Sequence, residues 1–282
     1  MHVVTTPAEM QRWSSEHRRD GHTIGFVPTM GALHEGHTTL LETALSANDC
    51  AVLSVFVNPL QFNVASDFDN YPRTLDSDLS IAQSRGVDCV FIPAVEDMYP
   101  PGATVKVRPG SAADGMEGEN RPGHFEGVTT IVAKLFNCVL PDRAYFGKKD
   151  YQQLAVIRQM VNDLDFPIGI VGVETVREPD GLAMSSRNVR LTPAHRRDAT
   201  VLSAALKNAA AAHSGGLTDA RGLESLVRDT VGGCASARLE YVSVVDRVTL
   251  VPLVDTSQGA VACLAAWFGD VRLIDNVELH AL

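Results

Sequence analysis

Positive charge is scarce in this 282-residue sequence, in which 24 Lys and Arg face 34 Asp and Glu and leave a formal net charge of −10. Such a chain repels nucleic-acid phosphate on average, so we expect no broad DNA- or RNA-binding surface. A local basic cleft for a small anion remains compatible with this balance, because a cleft focuses the field of the charges that line it. Hydrophobic residues make up 45% and charged residues 21%, which is typical of a globular chain with one large or two ordinary domains.

Long apolar runs and paired cysteines are missing as well. The longest apolar runs, such as GAVACLAAWF, are about half the roughly 20 residues that a membrane span requires, so we expect no membrane-spanning segment. The first residues, MHVVTTPAEMQRW, do not combine a basic segment with an apolar run, so no secretory signal is visible. The five cysteines form no C-x-x-C pair, and we interpret them as buried free thiols in a reducing cytoplasm. They are Cys50, Cys89, Cys138, Cys234 and Cys263.

Strand-like and helix-like stretches alternate over residues 1–175. The first helix opens with a capping box, in which Thr6 caps, Pro7 suits the first helical position and Glu9 reaches back. The stretch CAVLSVFV is apolar on both faces, as expected for the central strand of a parallel sheet. Helices are expected at 7–20, 36–48, 74–85, 127–140 and 151–164, and strands at 23–29, 50–57, 87–92, 143–147 and 168–174. This alternation predicts an α/β fold with a doubly wound parallel sheet.

The remaining residues, 176–282, have a different character. Two Ala-rich stretches at 193–213 and 218–231 are predicted helices. The segments RLEYVSVVD, VACLAAWF and VRLIDNVEL follow them and suit an antiparallel sheet joined by short turns. We therefore predict a second, smaller α+β domain that begins after residue 175.

The first candidate site is PTMGALHEGH, residues 28–37, where the first predicted strand gives way to a helix. His34 and His37 lie there, at the kind of strand end where open α/β sheets bind ligands. The helix N-terminus favours a phosphate, and Gly31 and Gly36 let the backbone approach closely. A zinc peptidase would need H-E-x-x-H instead of H-E-G-H, and two histidines in a loop are often only polar loop residues. This pair alone does not decide between a phosphate site, a metal site and no site.

A second candidate stretch, EPDGLAMSSRN, offers small hydroxyls and a cation on a polar loop. Ser185 and Ser186 could donate to phosphate oxygens, and Arg187 could hold a departing pyrophosphate. Such a Ser-Ser-Arg run on its own is usually an exposed turn.

Two further stretches follow predicted strands. Gly147, Lys148 and Lys149 form a strand-to-helix turn with two cations, although paired loop lysines are normally solvated. Asn58 and Gln61 end the stretch FVNPLQ with amides that suit a small polar acid, or that simply cap the last backbone groups of the strand. The P-loop and dinucleotide-binding patterns G-x-x-x-x-G-K-[ST] and G-x-G-x-x-G are both absent.

Taken together, the His-x-Gly-His turn and the Met-Ser-Ser-Arg loop resemble the adenylyl-transferring nucleotidyltransferases, relatives of class I aminoacyl-tRNA synthetases. The segments PTMGALHEGH, FVNPLQF, YPRTLDSDL, RPGHFEGV, KDYQQLAVIRQMV and REPDGLAMSSRN are similar, in that order, to the pantothenate synthetase (pantoate–β-alanine ligase) family. The similarity is specific over residues 26–192 and reduces to general character in the C-terminal third. It implies a Rossmann-like catalytic domain at 1–175 that binds ATP and pantoate, and a C-terminal lid domain at 176–282.

The resemblance also implies roles for individual residues. His37 would be the catalytic proton donor, assisted by His34, Lys149 and Arg187. Gln61 would bind both pantoate and β-alanine, Gln153 would hold the hydroxyls of pantoate, and Asn58, Glu117 and Arg121 would also belong to the substrate site. ATP would contact Met30, Gly31, Ala32, Leu33, His34, Glu35, Gly36, His37, Gly147, Lys148, Lys149, Asp150, Val176, Met184, Ser185, Ser186 and Arg187.

The implied partners are ATP with Mg²⁺ as co-substrate, pantoate and β-alanine, and a second copy of the chain in a cytoplasmic homodimer. No protein ligand for the metal can be named. The family usually has Gly-Glu-Lys-Asp where this chain has Gly147-Lys148-Lys149-Asp150, so Lys148 adds a charge. Two alternatives remain open at this stage: a nucleotidyltransferase that stops at a nucleotide-diphosphate product, and a catalytically silent nucleotide-binding module.

Overall fold

The computed structural model describes residues 1–63, 68–69 and 71–282. Two compact units are present, one formed by Met1–Lys148 with Val156–Glu174 and the other by Lys149–Ala155 with Thr175–Leu282. The roles predicted for an N-terminal catalytic domain and a C-terminal lid domain stay predictions.

The first unit is built on a six-stranded sheet in the order β1-β4-β3-β2-β5-β6, with every neighbouring pair parallel. Its strands are β1 His2–Val4, β2 Ile24–Thr29, β3 Cys50–Val55, β4 Cys89–Phe91, β5 Arg143–Gly147 and β6 Gly169–Val173. The predicted doubly wound parallel sheet is confirmed. The edge strand β1 was not predicted, because three residues are too few to show a periodic pattern.

Apolar side chains cover both faces of this sheet, which is why β3 shows no alternation. Ala51, Val52 and Leu53 are all fully buried. Val27 of β2 packs into a cluster on one face, whereas Phe26 makes an edge-to-face contact with Phe136 on the other, with ring centroids 6.3 Å apart.

The five helices predicted in this part of the chain begin and end within about three residues of their predicted positions, whereas the short helices Val95–Met98 and Met116–Asn120 were not predicted. Thr6 and Glu9 form the predicted capping box at the first helix, with the Glu9 amide donating to Thr6 Oγ1 at 3.3 Å. Within the described part of residues 1–163, the α-helices whose bounds are given are α1 Pro7–Arg19, α2 Glu35–Ala47, α3 Leu75–Ser84, α4 Val95–Met98, α5 Met116–Asn120, α6 His124–Val139 and α7 Tyr151–Asp163.

The second unit contains three helices and an antiparallel sheet in the order β7-β8-β9, as the sequence predicted in outline. Alternate residues of β8, such as Leu264 and Phe268, pack with helical residues into one buried cluster. The elements are α8 Pro193–Asp198, α9 Val201–Ser214, α10 Ala220–Gly232, β7 Ala237–Val245, β8 Ala260–Phe268 and β9 Val271–Leu279.

The prediction of one helix over 193–213 is wrong at its start, because α8 and α9 are separate helices. Between them, the amide of Thr200 donates to the carbonyl of Arg197, three residues back. The amide of Leu202 likewise donates to the carbonyl of Ala199. The Thr200 hydroxyl donates to the same Arg197 carbonyl at 2.8 Å. The change from four-residue to three-residue backbone hydrogen bonds at Thr200 and Leu202 ends α8 and separates it from α9.

All five cysteines are free thiols, and all except the half-buried Cys234 are buried. Within the described residues, no helix combines the length and apolar character that would let it cross a membrane.

Candidate active site

The strand order of the first unit reverses direction at β2. From β2 the chain adds β3 and β4 on one side, and it later adds β5 and β6 on the other. In open α/β sheets, ligands bind beyond the carboxyl ends of the strands at such a switch point. Two predicted ATP-binding segments leave the sheet there: the loop that starts at Met30 after β2, and the turn at Gly147 and Lys148 that ends β5.

His34 and His37 cap the N-terminus of α2 reciprocally. The amide of His34 donates to Nδ1 of His37 at 3.2 Å, and the amide of Gly36 donates to Nδ1 of His34 at 3.1 Å. The two ring centroids are 4.1 Å apart. An Nδ1 atom that accepts a hydrogen bond carries no hydrogen in the neutral ring, so the ring hydrogen of each histidine resides on Nε2. Both imidazoles are therefore oriented by the backbone as Nε2–H donors.

The loop between β2 and α2 is held in an uncommon backbone conformation by Asp78 of α3. Gly31 and the non-glycine residue Ala32 both have positive φ, 81° and 52°. The carboxylate of Asp78 is buried and accepts from the amide of Ala32 at 3.0 Å and from that of Leu33 at 2.8 Å. A Cβ at Gly31 would lie 2.9 Å from Asp78 Oδ2, so glycine is required for this close approach.

Asn58 and Gln61 lie in a short 3₁₀ turn beyond β3. The side-chain nitrogen of Asn58 donates to Gln61 Oε1 and to the carbonyl of Gly127, both at 3.0 Å. Its oxygen accepts from the amide of Leu60 at 3.3 Å and from the hydroxyl of Tyr99 at 2.8 Å. All four hydrogen-bonding positions of the Asn58 amide are thus used within the protein. Burial raises the pKa of Tyr99, so its hydroxyl keeps the proton that it donates.

Gln61 is held through both its side-chain amide and its backbone carbonyl. Its side-chain nitrogen donates to Met30 Sδ at 3.0 Å, and its backbone carbonyl accepts from His124 Nδ1 at 2.8 Å and from Arg121 at 3.3 Å. Arg121 also contacts His124 Nε2 at 3.1 Å and Glu117 at 3.5 Å. A guanidinium has only donors, so Nε2 of His124 accepts and its ring hydrogen lies on Nδ1.

Lys148, the residue that departs from the family pattern, has its amine at the exposed carboxylate of Glu174. Both residues belong to the first unit, and Glu174 directly follows β6. An ion pair with one exposed partner contributes little to stability. The added charge of Lys148 is thus paired at the end of the neighbouring strand.

Two clefts of the first unit border these residues. One, of about 340 Å³, is lined by Met30, Gly31 and Asp78 and by apolar residues beyond β3 and β4 such as Phe56 and Ala94. The other, of about 430 Å³, borders the N-terminal half of α2 and includes His34, Glu35 and Thr38. Both volumes lie in the range of small-molecule sites.

The second unit carries the remaining predicted residues of the 147–153 segment. Lys149 is largely buried, and its Nζ lies 3.8 Å from Asp150 Oδ2. The carbonyl of Lys149 accepts from the side-chain amide of Asn276 at 2.8 Å. Gln153 is half-buried in the first turn of α7.

The predicted nucleotide-binding loop of the second unit is a small hairpin followed by a turn. The amide of Met184 donates to the carbonyl of Val176 at 3.0 Å, which joins two of the predicted residues directly. The hydroxyl of Ser185 accepts from the amide of Arg187 at 3.2 Å. Val176, Ser186 and Arg187 are all half-buried.

The first unit therefore carries the His34–His37 turn and the Asn58–Gln61 turn, with Gln61 in contact with Met30 of the loop that leads to His34. The second unit gathers Lys149 and the 176–187 loop. Sequence reasoning assigned no role to Asp78, Tyr99 or His124. Asp78 and His124 lie in the quoted segments YPRTLDSDL and RPGHFEGV, so the signal was present. Tyr99 lies outside every quoted segment, and Asp275 and Asn276 lie in the C-terminal third, where the similarity was only general.

Comparison with known proteins covers the whole chain. A family model described as pantoate-beta-alanine ligase matches residues 2–278. The pantothenate synthetase of Heliobacterium modesticaldum is 50% identical over 280 residues, which is 99% of this chain and 100% of the relative. A crystal structure of pantothenate synthetase from Thermus thermophilus is 46% identical, with a TM-score of 0.94 over 99% of this chain and 100% of that one. A crystal structure of pantoate-beta-alanine ligase from Francisella tularensis, complexed with beta-gamma ATP and β-alanine, is 34% identical, with a TM-score of 0.81 over 98% and 97%.

Proposed function

The chain belongs to the pantoate-beta-alanine ligase family, and from this membership and the site geometry we propose that it joins pantoate to β-alanine at the expense of ATP. The product is pantothenate, and AMP and pyrophosphate are released. The observation that carries the assignment of chemistry to residues is the reciprocal capping of His34 and His37 at the switch point of the sheet.

The reaction needs two displacements. A carboxylate is a poor electrophile, so an oxygen of pantoate first attacks the α-phosphorus of ATP, and the bond to the β-phosphate breaks to release pyrophosphate. The amine of β-alanine then attacks the acyl carbon of pantoyl adenylate, loses a proton and displaces AMP. Neither step requires a covalent bond to the enzyme, so the protein contributes positioning and stabilisation of charge on the phosphates.

His34 and His37 suit the first displacement because their backbone contacts orient Nε2–H donors. Such donors stabilise the negative charge that builds up on the phosphate oxygens as pyrophosphate departs. Lys149 and Arg187 supply fixed positive charge for the same triphosphate. The convergence of these four side chains on one ATP molecule is part of the proposal.

Gln61 suits the acid and the amine substrates because its amide is fixed by Asn58 and Met30. Its partner in holding the hydroxyls of pantoate is Gln153. Asn58 and Arg121 support this site through Gln61, since both contact it.

ATP enters as its magnesium complex, with Mg²⁺ bound through phosphate oxygens and water. Within the part of the chain that the structure describes, no group of three His, Cys, Asp or Glu side chains is arranged to hold a metal ion. We further propose that the enzyme works in the cytoplasm as a homodimer.

Pyrophosphate–ATP exchange with a panel of acids tests the proposal. Labelled pyrophosphate should enter ATP only when enzyme, ATP and pantoate are all present, and addition of β-alanine should convert the bound adenylate to pantothenate. Exchange supported by a nucleotide instead of an acid would favour the nucleotidyltransferase alternative. No exchange with any acid or nucleotide would favour a silent nucleotide-binding module.

A further inference from the structure

Two consecutive residues of β9, Asp275 and Asn276, bind the two separate segments of the second unit that carry its proposed ATP ligands. Their side chains are buried, with 3% and 7% of their surface exposed. All the residues concerned belong to the second unit, whose chain consists of Lys149–Ala155 and Thr175–Leu282.

Asp275 holds the start of the 176–187 loop through Arg177. The guanidinium of Arg177 donates to both oxygens of the Asp275 carboxylate, at 2.7 and 2.9 Å. The same guanidinium donates to the carbonyl of Gly181 at 3.0 Å, which closes the hairpin between Val176 and Met184. A bidentate arginine–carboxylate pair fixes orientation as well as distance, so the hairpin is held rigidly against β9.

Asn276 holds the other segment. Its side-chain amide donates to the carbonyl of Lys149 at 2.8 Å, at the residue proposed to contact the phosphates of ATP. The two residues are also joined to each other. The backbone amide of Asn276 donates to Asp275 Oδ1 at 2.8 Å, and the guanidinium of Arg177 donates to the backbone carbonyl of Asn276 at 3.3 Å.

We propose that Asp275 and Asn276 act as one positioning device that sets the Lys149 turn and the Val176–Arg187 loop relative to each other. This inference rests on the proposed function and deepens it, because it adds positioning residues from the C-terminal third of the chain. Lys149 and Arg187 must meet one triphosphate, and a misplacement of about 1 Å can cost about 10²-fold in rate. A shared anchor on a buried strand suits that requirement, since strands hold functional groups more precisely than loops do.

The test uses Asn276→Ala and Asp275→Asn, with Arg177→Lys as a second variant of the Asp275 arm in case Asp275→Asn folds poorly. Two half-reactions are measured on each preparation: pantoate-dependent pyrophosphate–ATP exchange, and conversion of supplied pantoyl adenylate to pantothenate by β-alanine. The second half-reaction contains no triphosphate. A variant that merely loses folded protein therefore slows both half-reactions equally, whereas lost positioning of Lys149 and Arg187 at the triphosphate slows the exchange more than the aminolysis.

We expect the ratio of exchange to aminolysis to fall by about 10²-fold in Asn276→Ala and in Asp275→Asn. The matched control is Glu240→Gln, which removes an ion pair with Arg272 of the same sheet, where Glu240 Oε2 accepts from Arg272 Nε at 2.8 Å. This control should leave the ratio unchanged. An equal fall of both half-reactions in the anchor variants would overturn the proposal.

Hydrogen–deuterium exchange reads the coupling without using activity. Asn276→Ala should speed deuterium exchange not only in 147–152, which Asn276 contacts, but also in 176–188. Asp275→Asn should speed deuterium exchange not only in 176–188, which Asp275 contacts through Arg177, but also in 147–152. Effects confined to the segment that each residue touches would overturn the shared device. Absence of pantoate-dependent pyrophosphate–ATP exchange in the wild-type protein would refute the proposed function. The deuterium measurements would still decide whether the two segments are coupled.

Discussion

The backbone amide of His34 donates a hydrogen bond to Nδ1 of His37, 3.2 Å away, so the side chain of the second histidine is fixed by the backbone of the first. The contact has a chemical consequence beyond helix capping. It occupies the nitrogen that faces the backbone and leaves the ring hydrogen on Nε2. The pair is thereby oriented to donate hydrogen bonds from Nε2 to an anion.

Replacement of His37 by alanine should slow adenylate formation by about two to three orders of magnitude, because one preorganised donor to the phosphates is lost. ATP binding should weaken much less, since the donor acts mainly on charge that develops in the transition state. Pre-steady-state pyrophosphate release and equilibrium titration with ATP measure the two effects. Equal losses in rate and in binding would reduce His37 to a binding residue.

His37→Asn separates the two roles of this side chain. The oxygen of asparagine can take the place of Nδ1 and accept from the His34 amide, whereas no donor remains at the position of Nε2. We therefore expect His37→Asn to keep the wild-type melting temperature and to be as slow as His37→Ala. A rate near that of the wild type would show that capping, and not donation, is what His37 contributes.

Replacement of Gly36 by alanine should lower activity without raising stability. A Cβ at this position would lie 2.8 Å from Cε1 and 3.0 Å from Nδ1 of His34, so the ring of His34 must move. Gly36 lies in the first turn of α2, where the displaced His34 ring would lose its cap bond with the Gly36 amide, and this loss of about 1 kcal/mol offsets the helix propensity of alanine. Thermal unfolding and the pyrophosphate exchange assay measure the two effects.

Gly232→Ala is the control for Gly36→Ala. Gly232 is the last residue of α10, and a Cβ there would meet no heavy atom within 4 Å. We expect unchanged activity with unchanged or slightly raised stability. If Gly36→Ala behaved in the same way, the glycine between the histidines would have no role in placing the His34 ring.

Much of the fold could be predicted from the sequence, because its signals are local. The apolar stretch over β3 and the capping box of Thr6 and Glu9 each depend on residues close together in the chain. The division of 193–213 into two helices escaped prediction because it depends on which carbonyls the backbone amides of Thr200 and Leu202 bind. Helical periodicity is insensitive to such a choice.

The sequence predicted the residues of the candidate site that lie in recognisable motifs. It did not predict the residues that hold those motifs in position. His34, Gln61 and Lys149 lie in recognisable segments. Asp275 and Asn276 support Lys149 and Arg177 across more than 90 positions of chain, so only a folded structure can pair them. Hydrogen bonds of such separation leave no pattern in a single sequence.

The thiols offer a prediction about pH. Burial raises the pKa of Cys89 to about 12 and that of Cys138 to about 11. The thiolate is the reactive form, so at pH 8 these two thiols are almost entirely protonated and unreactive. We expect native protein at pH 8 to react with Ellman's reagent at the half-buried Cys234 and not at Cys89 or Cys138.

The same titration in guanidinium chloride should release all five thiols, and Cys234→Ser should abolish the rapid native reaction. Mass mapping of the labelled peptides identifies the site. Rapid labelling of Cys89 in the native state would mean that β4 opens readily, contrary to its buried position in the sheet.

Asp78→Asn should loosen the loop that carries the ATP ligands. The carboxylate accepts from the amides of Ala32 and Leu33, and an asparagine has only one oxygen with which to accept. A hydrogen bond to a charged group is worth about 1.5–3 kcal/mol, and the positive φ of Ala32 would then lack part of its support. We expect a fall of about that size in the free energy of unfolding, and a rise in KM for ATP.

Asp76→Asn controls for the loss of a carboxylate near the start of α3. Asp76 is exposed in the first turn of that helix, where it contributes at most about 1 kcal/mol through the helix dipole. Urea unfolding and the ATP dependence of pyrophosphate exchange, measured on both variants, compare the two positions. A purely structural Asp78 would lower stability and leave KM for ATP at the wild-type value, whereas an Asp78 that shapes the nucleotide loop must change both, because the amides it binds belong to the residues proposed to contact ATP.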